Sequence, residues 1–196
     1  MALETLTLEH VPAQYAVHVA LFQDVRNADF LHKQLLARNA AFEYAFIDAS
    51  IILSRTQLLS AVFKAINAQV TDSLKTPNVH SEVVISLNPS SNIADAYRRF
   101  GISPATKSLV AVKVTFPTDS APVPPSADET WKHLSDNVEG TPLALADDNL
   151  RLTADMSKIR KYYKLNVPWL EQTADETIKQ REMETLVLGA MALRGL

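Results

Sequence analysis

Stretches of helical period alternate along this chain with short runs of strand character. That interleaving restricts it to a mixed architecture in which helices cover a sheet. Residues 15–22 (YAVHVALF) and 109–116 (LVAVKVTF) alternate and are rich in β-branched and aromatic side chains, the pattern of a half-buried strand. Residues 45–47 read as a third short strand. Residues 82–87 (EVVISL), a β-branched run followed by the turn-forming NPSSN at 88–92, read as the plainest strand of all. Short, partly alternating strands favour an antiparallel sheet. The expected fold class is therefore α/β of the α+β type: a single mixed domain spanning 1–196, with a largely antiparallel sheet flanked by helices. A chain of 196 residues, 47% of them hydrophobic, has enough apolar material for one such core.

The helices announce themselves by caps and period. Asp24 and Asn27 are candidate caps for a helix over 25–38, whose Val25, Ala28, Leu31 and Leu35 fall on one face. Ser54 and Gln57 have the spacing of a capping box, opening a helix with the stripe Leu58, Leu59, Val62, Phe63, Ile66 and Val70 that must stop before Pro77. Asn92 caps a third helix ending at Phe100, with Gly101 expected as a left-handed C-terminal cap and Pro104 as a stop. Four prolines within 117–126 cannot join a sheet, and the loop 117–130 is expected to be mobile. Trp131, Leu134 and Val138 mark a short helix closed by Gly140. A basic helix covers 155–164, and Thr173 with Glu176 resembles another capping box ahead of the final helix.

What is missing excludes whole classes of chemistry. Without cysteine there is no disulfide, thiolate nucleophile or Cys-ligated zinc. The four glycines, at 101, 140, 189 and 195, are too dispersed for either glycine-rich phosphate loop. The five histidines show no i+3 or i+4 pairing or HExxH, so neither metal nor cofactor is expected, and His18 reads as a hydrogen-bonded core or edge residue. No GxSxG elbow occurs, and Asp147-Asp148 reads as a turn or helix cap, so no catalytic residue is assigned. Nineteen basic against 22 acidic residues give a net charge of -3, leaving no global field for nucleic acid or anionic lipid. The apolar runs fall short of about 18 residues, and no membrane span or secretory leader is expected.

Two segments stand out. Lys158, Arg160, Lys161 and Lys164 surround Tyr162 and Tyr163, the mixture of cations and rings used by single-stranded RNA sites. The plainer alternative places Ile159 and both tyrosines toward the core, with the cations on a solvated face. Residues 186–193 (LVLGAMAL) are apolar all round, whereas a surface helix needs an apolar stripe of only about 100°. A second apolar face calls for a second partner.

Residues 80–103, HSEVVISLNPSSNIADAYRRFGIS, resemble the signature strand, turn and helix of the PRPK-binding protein family (TPRKB-like), a subunit of the EKC/KEOPS complex. LFQDVRNADFL at 21–31 and AFIDASIILSRTQLLSAVFKAI at 45–66 are similar to the family's first and second strand-to-helix junctions. IRKYYKL at 159–165 resembles its late basic motif, and ALRGL at 192–196 its fungal-type ending. The likeness covers most of the chain in order and lapses at 117–130 and 166–180.

The resemblance implies a non-catalytic subunit that binds the small atypical kinase of the complex and, indirectly, its other subunits. It implies support of threonylcarbamoylation of adenosine in tRNAs reading ANN codons, links to telomere maintenance and transcription, and residence in nucleus and cytoplasm. In the family the kinase N-lobe is docked by helices that match NIADAYRRFG and the C-terminal helix here. The expected contacts are therefore Ile93, Tyr97, Phe100, Leu186, Gly189, Ala190 and Leu193. Some archaeal members resemble tRNA receptors, which implies a tRNA-binding role for Lys158, Arg160, Lys161 and Lys164.

Overall fold

The computed structural model describes residues 2–119 and 121–194, the side chains of Trp169 and Glu171 excepted. Among the described residues, β1 (Leu3–Leu6), β2 (Ala16–Gln23), β3 (Ala45–Asp48), β4 (Leu109–Thr115) and β5 (Thr141–Leu143) form one sheet. Its order is β1-β2-β4-β3, with β5 also on β2, and every pairing is antiparallel. The alternation of side chains along β2 and β4 decides the layering. Val17, Val19 and Leu21 lie with Val110, Val112 and Val114 in one core, while Ala20, Phe22, Leu109 and Ala111 lie in another on the opposite face. The second core is closed by α1 (Ala28–Leu36) and α5 (Ala127–Asn137). The first takes α2 (Arg55–Val70), α3 (Val79–Ser86), α4 (Ile93–Phe100) and α6 (Asp147–Thr153). It also takes α7 (Met156–Tyr163), α8 (Pro168–Gln172) and α9 (Glu176–Ala192). The result is the mixed domain expected, with an antiparallel sheet between helices.

The run read as the plainest strand is a helix. Asn78 caps α3 by accepting from the Ser81 N–H at 2.8 Å, and seven of its eight residues are buried. A helix enclosed on all sides has no polar face, so its sequence carries no period of 3.6, and tertiary packing overrides the β preference of Val and Ile. The enclosure has a function in the sheet. β3 pairs with β4 only as far as Val112, and two residues on the Val114 N–H donates instead to His80 Nε2 of α3 at 3.0 Å. Burial, followed by the charge on Lys113, pushes the His80 imidazole down to about 3, so it is neutral with its proton on Nδ1.

Three expected termini also differ. Gly101 follows α4 in an extended conformation, because the chain turns at once to bridge Ile47 and passes the Ile102 N–H to the Phe46 carbonyl at 2.9 Å. Glycine is required there for space, since a Cβ would lie 2.7 Å from the Tyr97 carbonyl oxygen. α9 is capped by Asp175, which accepts from Thr177 and Ile178, rather than by Thr173. The proline-rich segment ends at a capping box of Ser126 and Glu129, so residues 127–130 are helical rather than loop. Ser54 does cap α2. Its supposed partner Gln57 reaches past it to accept from the Leu53 N–H at 2.6 Å and to donate to the Tyr163 hydroxyl at 2.8 Å.

Candidate docking site

The polar turn between α3 and α4 is prefolded by its own side chains. The Asn88 amide donates to Ser90 Oγ and to the Asn92 carbonyl, each at 3.1 Å, and Asn92 then caps α4 by accepting from the Asp95 N–H at 2.9 Å. From this start α4 packs Ala96 and Phe100 inward and leaves Ile93 and Tyr97 outward, 37% and 39% exposed. Asp95 holds Arg98 and Arg99 on the same helix, and the Arg99 guanidinium sits 5.0 Å over the ring of Tyr162. Phe100 is fully buried with its ring edge-on to Tyr163 at 5.8 Å. The expectation that it touches a partner is corrected: Phe100 is enclosed by the chain's own core, where it anchors α4, and only Ile93 and Tyr97 of the three are open to solvent.

On α9, Met183, Val187 and Met191 are buried, while Leu186 and Ala190 are half-buried against the same core. At about 100° per residue, Leu186, Gly189 and Leu193 fall together along the flank of that buried stripe. Leu193 is 64% exposed, and a Cβ added at Gly189 would meet nothing within 4 Å. The helix is thus apolar on a side that the described residues leave uncovered. Its own packing gives no steric reason for glycine at 189, where alanine would be better by about 1 kcal/mol. Two long-range bonds fix this end. Lys64 Nζ of α2 donates to the Met191 carbonyl, and Arg194 Nε donates to the Ser90 carbonyl ahead of α4, both at 3.0 Å. The second ties α9 to the turn that launches α4. Gly195 and Leu196 of the ALRGL ending lie outside the described residues.

The basic segment divides differently from its RNA-like reading. Ile159 and Tyr163 are buried, and the Tyr163 hydroxyl donates to the Leu87 carbonyl at 2.6 Å. Tyr162 is half-buried beneath Arg99. The tyrosines are therefore engaged in packing, as the plainer alternative has it, Tyr163 fully and Tyr162 in part. The cations remain outward: Lys158, Lys161 and Lys164 are exposed, and Arg160 is half-buried with its Nε unpartnered. Arg160, Lys161 and Lys164 share an open concavity of about 740 Å³ with Ser157 and Asn166. His18 is buried and hydrogen-bonded to Thr5 Oγ1 at 2.9 Å, the structural role expected of it. Among the described residues no group of three or more His, Asp or Glu side chains could hold a metal, and no helix is long and apolar enough to cross a membrane.

A family model described as the kinase binding protein CGI-121 matches residues 22–195. The chain belongs to the CGI-121 family. A relative from Gibberella zeae, the EKC/KEOPS complex subunit CGI121, is 59% identical over 197 residues and covers the whole of both chains. Its namesakes from Neurospora crassa and Schizosaccharomyces pombe are 47% identical over 207 residues, again the whole of both, and 32% over 179, or 91% of this chain and 93% of theirs. The CGI-121 motif at 80–103 is thereby seen to be helix, turn and helix in this chain, since its first part is α3. Sequence reasoning missed the residues that fasten this CGI-121 chain's final helix, Lys64 and Ser90. Their partners lie more than a hundred residues away, and no local pattern marks them.

Proposed function

We propose that this chain is a non-catalytic subunit of an EKC/KEOPS complex that binds the small atypical kinase of that complex. The face it uses combines Leu186, Gly189, Ala190 and Leu193 of α9 with Ile93 and Tyr97 of α4. Through that assembly it supports threonylcarbamoyladenosine modification of tRNA, in nucleus and cytoplasm, with links to telomere maintenance and transcription. One observation carries the reading: among the described residues nothing covers the apolar flank of α9, with its open glycine and exposed leucine. Membership in a kinase-binding family and the names of its fungal relatives support the choice of partner. Co-elution of the full chain with the kinase on gel filtration tests the reading, and separate elution at micromolar concentrations of both would overturn it.

A second reading, direct tRNA binding, is favoured by the concavity shared by Arg160, Lys161 and Lys164. Because Tyr163 is buried and Tyr162 lies half-buried beneath Arg99, such binding rests mainly on phosphate contacts and falls steeply with salt. Reversing Lys161 and Lys164 to Glu is expected to weaken tRNA retention and flatten its salt slope by about one for every phosphate left unneutralised. An unchanged slope would remove this reading.

A further inference from the structure

Beside the C-terminal end of α9 lies a cleft of about 280 Å³ whose charges do not balance. It is lined by three cations, Lys64, Lys75 and Arg194, and one carboxylate, Glu82. That carboxylate is already engaged. Its Oε2 accepts from the backbone N–H groups of Lys75 at 3.0 Å and Thr76 at 3.1 Å, and from the Thr76 hydroxyl at 2.7 Å. Lys64 Nζ gives one bond to the Met191 carbonyl, which leaves two further N–H bonds on the ammonium. Arg194 gives Nε to the Ser90 carbonyl, but Nη2 of the same guanidinium is buried with no partner among the described residues. An unpaired buried donor is costly, and among the described residues the cleft sets three cations against the single carboxylate of Glu82. Burial, then Arg194 and Lys75, hold the Lys64 ammonium below the ordinary lysine range, with only Glu82 opposing.

We infer that this cleft is a binding site for a phosphate-sized oxyanion, held by Lys64, Lys75 and Arg194. Its volume lies below the roughly 300–1,000 Å³ of pockets for drug-sized ligands, which points to a small anion. A guanidinium and two ammonium groups suit a tetrahedral, multiply charged oxyanion better than a halide, because each donor meets its own oxygen. The nearby hydroxyls add little, since Thr71 Oγ1 already donates to the Asn67 carbonyl at 2.8 Å. The bound anion bridges α2, the turn carrying Lys75 and Arg194, two residues beyond α9, so it stabilises the folded chain by mass action. Lys64 and Arg194 also fasten the C-terminal end of α9, so the cleft adjoins the docking face without sharing its apolar side chains.

Thermal unfolding of the full chain, followed against inorganic phosphate with chloride withdrawn to keep ionic strength constant, tests the site. The expected result is a saturable rise in Tm, of several degrees at about 100 times the dissociation constant. Lys75 is exposed and its side chain makes none of the bonds described above, so Lys75→Gln keeps the fold and weakens phosphate binding by roughly tenfold. Lys33→Gln, on α1 and absent from the cleft lining, serves as the charge control and leaves binding unchanged. A rise no larger than in the chloride control, or equal phosphate affinity in wild type and Lys75→Gln, would overturn the site.

Discussion

Replacing Gly189 by alanine separates what α9 needs for its own fold from what it offers a partner. Glycine inside a helix costs about 1 kcal/mol relative to alanine, mainly through backbone entropy. The added methyl group meets nothing within 4 Å, so no clash offsets that gain. The isolated chain should therefore be stabilised by about 0.5–1 kcal/mol, a Tm increase of roughly 1–4 °C for a chain of this length. The same methyl stands between Leu186 and Leu193 on the uncovered flank, where it holds an approaching backbone away. Overfilling a packed contact costs about 1–3 kcal/mol, which weakens association by roughly 5- to 150-fold. Differential scanning fluorimetry of the free chain and a fluorescence titration against the kinase measure the two effects. A fall in Tm would show that the space at 189 is not open. A higher Tm with undiminished kinase affinity would refute the argument that glycine is there for a partner.

The remaining predictions concern the core beneath that face. His80 is held near 3 against its ordinary value of about 6.5, so between those values the unfolded chain binds a proton that the folded chain does not. Its stabilising contribution is complete above about pH 6.5 and is lost as the pH falls toward 3, at about 1.4 kcal/mol per unit. Urea unfolding from about pH 6 to 4.5 should show a shallower decline for His80→Gln than for wild type, and equal slopes would contradict the assignment. Tyr163→Phe leaves the Leu87 carbonyl and the Gln57 amide without their shared buried partner, at a cost of about 2 kcal/mol. Tm should fall by roughly 4–8 °C, and a change within error would show that the partners re-pair.

The layering was legible wherever side chains alternate between two cores. In residues 109–116 the period of two survived because β4 has helices on both faces and packs Val110 and Ala111 into different clusters. It failed at α3 for the opposite reason: Val79, Val83 and Ile85 are all buried, and uniform burial erases the period that distinguishes helix from strand. The short edge strands β1 and β5, four and three residues long, gave too little pattern to read. The capping box of Ser126 and Glu129 was a readable signal hidden in a segment dominated by prolines. Of the docking face, the excess apolarity of residues 186–193 was visible, because one helix cannot turn every side to one core. The burial of Phe100 was not, since Ile93, Tyr97 and Phe100 share a helical period and only tertiary packing shows which of them faces in. The cleft of Lys64, Lys75 and Arg194 was equally hidden, being assembled from residues up to 130 positions apart.

The uncovered flank of α9 is tested most directly by the dissociation constant between the kinase and the Leu193→Asp chain, alongside Gly189→Arg. Leu193 is already exposed in the free chain, so its replacement should leave Tm and circular dichroism unchanged. Placing a carboxylate in an apolar contact should weaken kinase binding by about a hundredfold or more. Full affinity in both folded variants would contradict the account.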